Sequence, residues 1–209
     1  MSALPKLKLT YFNIKARAEP IRLALAINSI PFEDERIDRS KWMELKPTTT
    51  FGQLPLLTVN GDNVIAQSTA ILRYVGKLGS LKLYPDDPLK AALVDQLIAQ
   101  VQDVEASLRP SGEEKDAVKK LAMRVELASK TLPPLFAALD AFVAKSFGKY
   151  ATGADISIGD LFVYQMNTSF SSGAYDGIPA SILQGYEHIQ KVVAAVKAHP
   201  AVAAWEAAH

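Results

Sequence analysis

Polar and apolar positions change their period as the chain advances. Leu7-Lys8-Leu9-Thr10-Tyr11 alternates, the pattern of a strand with one buried face. Residues 18–28 then carry Ile21, Ala24, Leu25 and Asn28 at helical spacing, with Pro20 tolerated in the first turn. Residues 32–37 predict a second short strand. Leu56–Val59 and residues 63–65 flank Asn60-Gly61-Asp62, whose glycine supplies the positive φ of a hairpin turn. A helix follows over 67–78, with Ile71, Tyr74, Val75 and Leu78 on one face. The predicted order is β-α-β followed by β-β-α.

Residues 79–88, GSLKLYPDDP, are rich in turn formers and predict a linker over 80–88 between a first domain, 1–79, and a second, 89–209. The second domain contains no strand pattern. Leu89, Leu93, Leu97, Val101, Val104 and Leu108 recur every three or four residues and predict the buried stripe of one long helix. Another is expected over 113–145, bent at Pro133-Pro134, where two amide donors are missing. Ser157-Ile158-Gly159-Asp160 has the form of a capping box, with Asp160 standing in for the usual Glu, and marks the entrance of a central apolar helix. Helices over 182–198 and 200–207 complete the pattern. The fold class is therefore α/β followed by all-α.

Composition narrows the chemistry. Lys and Arg total 23 against 22 Asp and Glu, so there is no basic field of the kind that draws proteins to nucleic acid or anionic membranes. No run of about 18 apolar residues is visible, and the N-terminus lacks the apolar stretch of a secretory leader. These readings predict a cytoplasmic protein with small-molecule or protein partners. With no cysteine there is no disulfide, thiolate metal site or cysteine nucleophile, so any thiol chemistry needs a thiol from outside. His188, His199 and His209 are scattered and support neither a catalytic triad nor a zinc site; no metal is expected.

LTYFNIKARAEPIRLAL, WMELKPTTTFGQLPLL, QSTAILRYVGKLG, ALVDQLIAQVQD and ISIGDLFVY occur in an order and at a spacing that resemble the cytosolic glutathione transferases, the sigma class above others. The resemblance covers nearly the whole chain. It implies a thioredoxin-like first domain that binds glutathione, a helical second domain that carries the electrophile pocket, and a homodimer.

A free thiol with a pKa near 8.5 is only a few per cent thiolate at neutral pH, and the thiolate is the nucleophile. By resemblance Tyr11 is the residue that holds it, its neutral hydroxyl donating to sulfur. Lowering a bound thiol by about two units requires roughly 2.7 kcal/mol. One charge-assisted hydrogen bond, worth about 1.5–3 kcal/mol, nearly covers that. Taken without the motif, Tyr11 reads as an ordinary strand aromatic. Arg17 is implied to add positive potential near the sulfur; the alternative is a solvated surface arginine.

The remaining glutathione contacts follow from the same resemblance. Leu54-Pro55 suggests a cis peptide bond that offers the Leu54 backbone to the tripeptide as an added strand, although a trans proline in a turn reads equally well from sequence. Gln67-Ser68 opens a helix, where free amides and the positive dipole end suit the γ-glutamyl carboxylate; a serine that simply caps its helix is the alternative. Gln53, Trp42 and Lys46 complete the site, the last two serving the glycyl carboxylate. Asp103 lies off the apolar stripe, and the resemblance has it cross the two-fold axis to glutathione in the partner subunit. The second-substrate pocket is assigned to Phe12, Val104, Leu108, Tyr164 and the C-terminal helix. Ala99, Gln102 and Pro110 depart from the metal-modulated prostaglandin isomerases of the sigma class and argue against that activity. Related chains also act as non-catalytic carriers or structural proteins, and as isomerases and peroxidases. The intact set of Tyr11, Gln53, Leu54-Pro55 and Gln67-Ser68 favours the enzyme.

Overall fold

The computed structural model describes residues 4–209, which form two compact units. The first comprises the residues up to Tyr84 together with Pro200–His209, and the second Pro85–His199. The final helix, read from sequence as part of the second domain, thus clusters with the first.

In the first unit the elements are β1 (Leu7–Phe12), α1 (Glu19–Ile27), β2 (Glu33–Ile37), α2 (Arg39–Leu45), β3 (Leu56–Val59), β4 (Asn63–Ala66) and α3 (Ser68–Leu78). The sheet order is β2-β1-β3-β4. β1 pairs parallel with β2 and antiparallel with β3, with Leu9 opposite Asp34 on one side and Leu57 on the other. Being interior, β1 is the strand whose Leu7, Leu9 and Tyr11 are all buried. The turn from β3 to β4 is the three-residue loop Asn60-Gly61-Asp62 between the paired Val59 and Asn63, with Asn60 at φ 54° and Gly61 at φ 87° in the left-handed region.

Helix α2 has no counterpart in the sequence reading. It is seven residues long and buries none of them, so it has no apolar stripe to read. Its one signal is Asp38, whose carboxylate accepts from the amide of Lys41 at 2.8 Å as an N-cap. That amide and the Ser40 hydroxyl hold the Asp38 carboxyl below its ordinary value.

The second unit contains α4 (Pro88–Glu113), α5 (Ala117–Glu126), α6 (Leu132–Ala144), α7 (Ile158–Ser171) and α8 (Glu187–Lys197). The α4 stripe is Val94, Leu97, Ile98, Val101, Val104 and Leu108; Leu89, expected to be buried, is 70% exposed. The helix expected over 113–145 is divided. α4 runs through Pro110 to Glu113, and Asp116 caps a new helix by accepting from the amides of Val118 and Lys119. From there the chain is helical to Ala144, with a wide turn at Leu127–Thr131 just before Pro133-Pro134, where the missing donors are absorbed. This run, Ala117–Ala144, is long and apolar enough to cross a membrane by length and composition alone, a feature the sequence reading did not register. Val118, Leu121 and Val125 on α5 are exposed. The helix expected over 182–198 starts at Glu187, because residues 179–186 form successive turns.

The Ser157 capping box forms. Asp160 is fully buried; its Oδ2 accepts from the amide and the hydroxyl of Ser157, each at 2.7 Å, and its Oδ1 from the amide of Ala151 at 2.7 Å. The remaining helix, α9 (Pro200–Ala208), packs on α1 in the first unit.

Candidate active site

Tyr11 stands next to last in β1 and is 6% exposed. Its ring lies 5.6 Å from that of Phe12, and Phe12 meets Trp42 of α2 edge-on at 6.1 Å. Three aromatic rings therefore link the central strand to the short helix that sequence periodicity does not show. The chain leaves α2 into a single turn, Lys46–Thr48, that starts at Lys46. The Lys46 side chain then passes Gly52, where an added Cβ would lie 3.7 Å from Lys46 Cε. Gly52 itself takes φ 61° and leads directly to Gln53, which is exposed, and to Leu54-Pro55, which is cis. Leu54 lies just outside the β3 ladder, which begins at Leu56.

Gln67 adopts φ 72° and ψ 113°, a conformation that a non-glycine residue takes only under constraint. It makes no side-chain cap, and Ser68 is the first residue of α3 rather than its cap. The amides of an 11-residue helix thus open without a side-chain oxygen from the cap residue, next to a half-buried serine hydroxyl. Such an end attracts an anion through its free donors and its dipole.

Arg17 lies in the short turn Ala16–Ala18 and is exposed; Ala16 before it has φ 37°. The guanidinium within reach of the Tyr11 ring is that of Arg22, whose central carbon lies 6.0 Å from the ring centroid. Arg22 is fully buried. Its Nε donates to Asp34 Oδ1 at 3.0 Å, and its Nη1 donates to Glu19 Oε2 at 3.1 Å and to the Ile14 carbonyl at 2.9 Å. Asp34 Oδ2 accepts from Arg36 Nε at 2.8 Å, and Arg36 Nη1 donates to Asn13 Oδ1. Glu19 Oε1 accepts from Trp205 Nε1 of α9 at 3.0 Å. Sequence reasoning missed this cluster. Its signal was a charged pair, Glu19 and Arg22, three residues apart on a helix that is otherwise apolar.

The register sets Thr10 opposite Leu56 and Leu56 opposite Ala66, so Tyr11, Leu54-Pro55 and Gln67-Ser68 lie at the same end of their strands. Phe12 and Trp42 are joined to Tyr11 by their rings, and Gln53 and Lys46 lie in the loop and turn between α2 and β3. In the second unit Asp103 is exposed on α4, while Leu108 and Tyr164 are largely buried. Val104 is fully buried in the apolar stripe of α4. Among the described residues, no group of three or more His, Asp or Glu is arranged to hold a metal.

Two family profiles match the chain, "Glutathione S-transferase, N-terminal domain" over residues 7–77 and "Glutathione S-transferase, C-terminal domain" over residues 102–209. The chain belongs to the glutathione S-transferase family. Glutathione S-transferase 1 of Ascaris suum is 34% identical over 211 residues, covering 97% of this chain and 96% of that one. Hematopoietic prostaglandin D synthase of Gallus gallus is 33% identical over 202 residues, with 97% and 96% covered. The solved structure of prostaglandin synthase D of Nilaparvata lugens superposes with a TM-score of 0.87 at 32% identity, covering 97% of this chain and 98% of that one. Membership makes the chain a transferase on a thioredoxin-like sheet domain with a helical second domain, in a family whose co-substrate is glutathione.

Proposed function

We propose that this glutathione S-transferase holds glutathione as its thiolate on the Tyr11 hydroxyl and delivers it to electrophilic carbon in small hydrophobic compounds, a detoxifying role. The observation that carries the reading is the run of rings Tyr11, Phe12 and Trp42, which joins the phenol to the helix leading into Lys46 and the Gly52-Pro55 loop. A phenol that gives one hydrogen bond to one sulfur atom needs to present a single atom, which suits the small surface Tyr11 retains. In this reading Trp42 and Lys46 take the glycyl carboxylate, Gln53 and the Leu54 backbone take the cysteinyl segment, and Gln67, Ser68 and the opening amides of α3 take the γ-glutamyl carboxylate. Arg17 adds positive potential from the surface, and Phe12 offers apolar surface beside the sulfur.

The motifs further favour the sigma class, a cytoplasmic setting, and a homodimer in which the exposed Asp103 reaches the partner's glutathione. Ultraviolet titration of the bound thiol in wild type and Tyr11→Phe tests the mechanism. The midpoint is expected to rise by about two units in the variant. An unchanged midpoint rejects Tyr11 as the thiolate holder.

The similarity to two prostaglandin D synthases favours a second reading, an isomerisation run through the same thiolate. Pro110, Ala99 and Gln102 count against its metal-modulated form. An isomerase assay on a prostaglandin precursor, with and without a divalent cation, separates the two activities.

A further inference from the structure

We infer that Arg22 and Trp205 are positioning residues for Tyr11, so that the last helix helps set the acidity of the bound thiol. This rests on the role proposed for Tyr11. A fully buried guanidinium has five N–H donors to satisfy, and here Nε and Nη1 are engaged while Nη2 has no hydrogen-bond partner. The Tyr11 ring stands within cation–π range of that guanidinium. A positive charge beside a phenol makes its O–H a stronger donor, which lowers the cost of holding a thiolate. How much charge reaches the ring depends on the two carboxylates that neutralise Arg22, Asp34 and Glu19. Asp34 is shared with Arg36. Glu19 is shared with Trp205, whose indole N–H takes part of the carboxylate's charge.

Trp205 is itself held firmly. It stacks on Phe32 at 5.9 Å and on the His209 ring at 3.8 Å, and the neighbouring Glu206 pairs with Lys15 at 3.7 Å. A tryptophan that served only to bury area would need no donor aimed at a carboxylate that is itself only 3% exposed.

The charge balance gives two variants with opposite effects. Trp205→Phe keeps the stack on Phe32 but removes the indole donor. More of the Glu19 charge then falls on Arg22, and the bound thiol midpoint is expected to rise by about half a unit, roughly a threefold loss of thiolate at fixed pH. Glu19→Gln removes the carboxylate charge, frees the guanidinium toward the ring, and is expected to move the midpoint down. General loosening of the fold does not produce shifts of opposite sign. Binding of S-methylglutathione, which has no ionisable thiol, should change little in either variant.

The measurement is the ultraviolet titration of bound glutathione in the full chain, made for each variant alone and in the Tyr11→Phe background. Opposite shifts that vanish when Tyr11 is Phe support the inference. Unchanged midpoints, shifts of the same sign, or shifts that persist without the Tyr11 hydroxyl overturn it. If Trp205→Phe does not fold, the sign of the Glu19→Gln shift and its dependence on Tyr11 decide the question. Tyr11→Phe alone tests the underlying mechanism, so failure of the two ideas reads out separately.

Discussion

Phe12 and Trp42 meet edge to face, with their ring planes at 83°. This contact joins the end of the central strand to α2, a helix with no buried residue of its own. A short exposed helix is held by its cap and by such contacts, not by its own propensity. Trp42→Ala is therefore expected to raise KM for glutathione about tenfold with little change in kcat, the pattern of lost uniform binding. Trp42→Phe should retain most of the affinity. Steady-state kinetics with varied glutathione checks this, and a fall in kcat alone would contradict it.

Ser68 tests the other end of the peptide. A charge-assisted hydrogen bond is worth about 1.5–3 kcal/mol, so Ser68→Ala should weaken glutathione binding about tenfold or more. Cysteinylglycine, which lacks the γ-glutamyl carboxylate, should bind wild type and variant equally weakly. Calorimetric titration with both ligands separates an anion site from a general loss of structure.

Ala16 offers a test of backbone strain. Its φ of 37° costs an L-residue about 1–2 kcal/mol, against a smaller entropic cost for glycine at the same place. Ala16→Gly is expected to raise stability by about 0.5–1 kcal/mol, read from the urea midpoint at constant slope. A lower midpoint would mean that neighbouring contacts depend on the methyl group.

The second unit has its own weak point at Asp160. Burial pushes this carboxyl above its ordinary value, while the donated hydrogen bonds pull it back. Asp160→Asn replaces one acceptor oxygen with a donor that faces the amide of either Ala151 or Ser157. Leaving such a buried donor unpaired costs about 1–3 kcal/mol. The variant should lose that much in chemical denaturation.

Acid sensitivity is expected at His199. Burial, and after it the charge of Lys149, holds this imidazole below its ordinary value. In the unfolded chain it takes up a proton first as pH falls past about 6.5. Its contribution to stability is thus complete above that pH and is lost on acidification toward the lower folded value. His199→Gln should flatten the stability profile between about pH 7 and 5. An unchanged slope would assign the acid sensitivity elsewhere.

How much was legible in the sequence follows from which signals are periodic. β1, β3, β4, α1 and α3 announce themselves by spacing and by Asn60-Gly61, and the structure shifts their bounds by only a residue or two. α2 carries no stripe and stayed invisible, although Trp42 and Lys46 within and after it were picked out by resemblance. The division at Glu114–Asp116 was missed because Pro133-Pro134 looked the stronger breaker. Yet a proline pair at the start of a helical turn is tolerated, while Asp116 supplies a fresh cap. Regular spacing marks Val104 and its neighbours as a buried stripe without saying what the stripe faces. Arg22, Glu19 and Trp205 were unreadable as a group: 186 residues separate Trp205 from Glu19, and only the folded chain brings them together.

That separation constrains how the protein is made. The sheet-bearing unit borrows residues 200–209 to cover α1 and Phe32. A ribosome that has released every strand of the sheet still holds an unfinished subdomain, and the helical unit emerges while its predecessor waits for closure. Excising the two halves at the linker would leave the sheet half with Phe32 bare and the Glu19 carboxylate short of a donor.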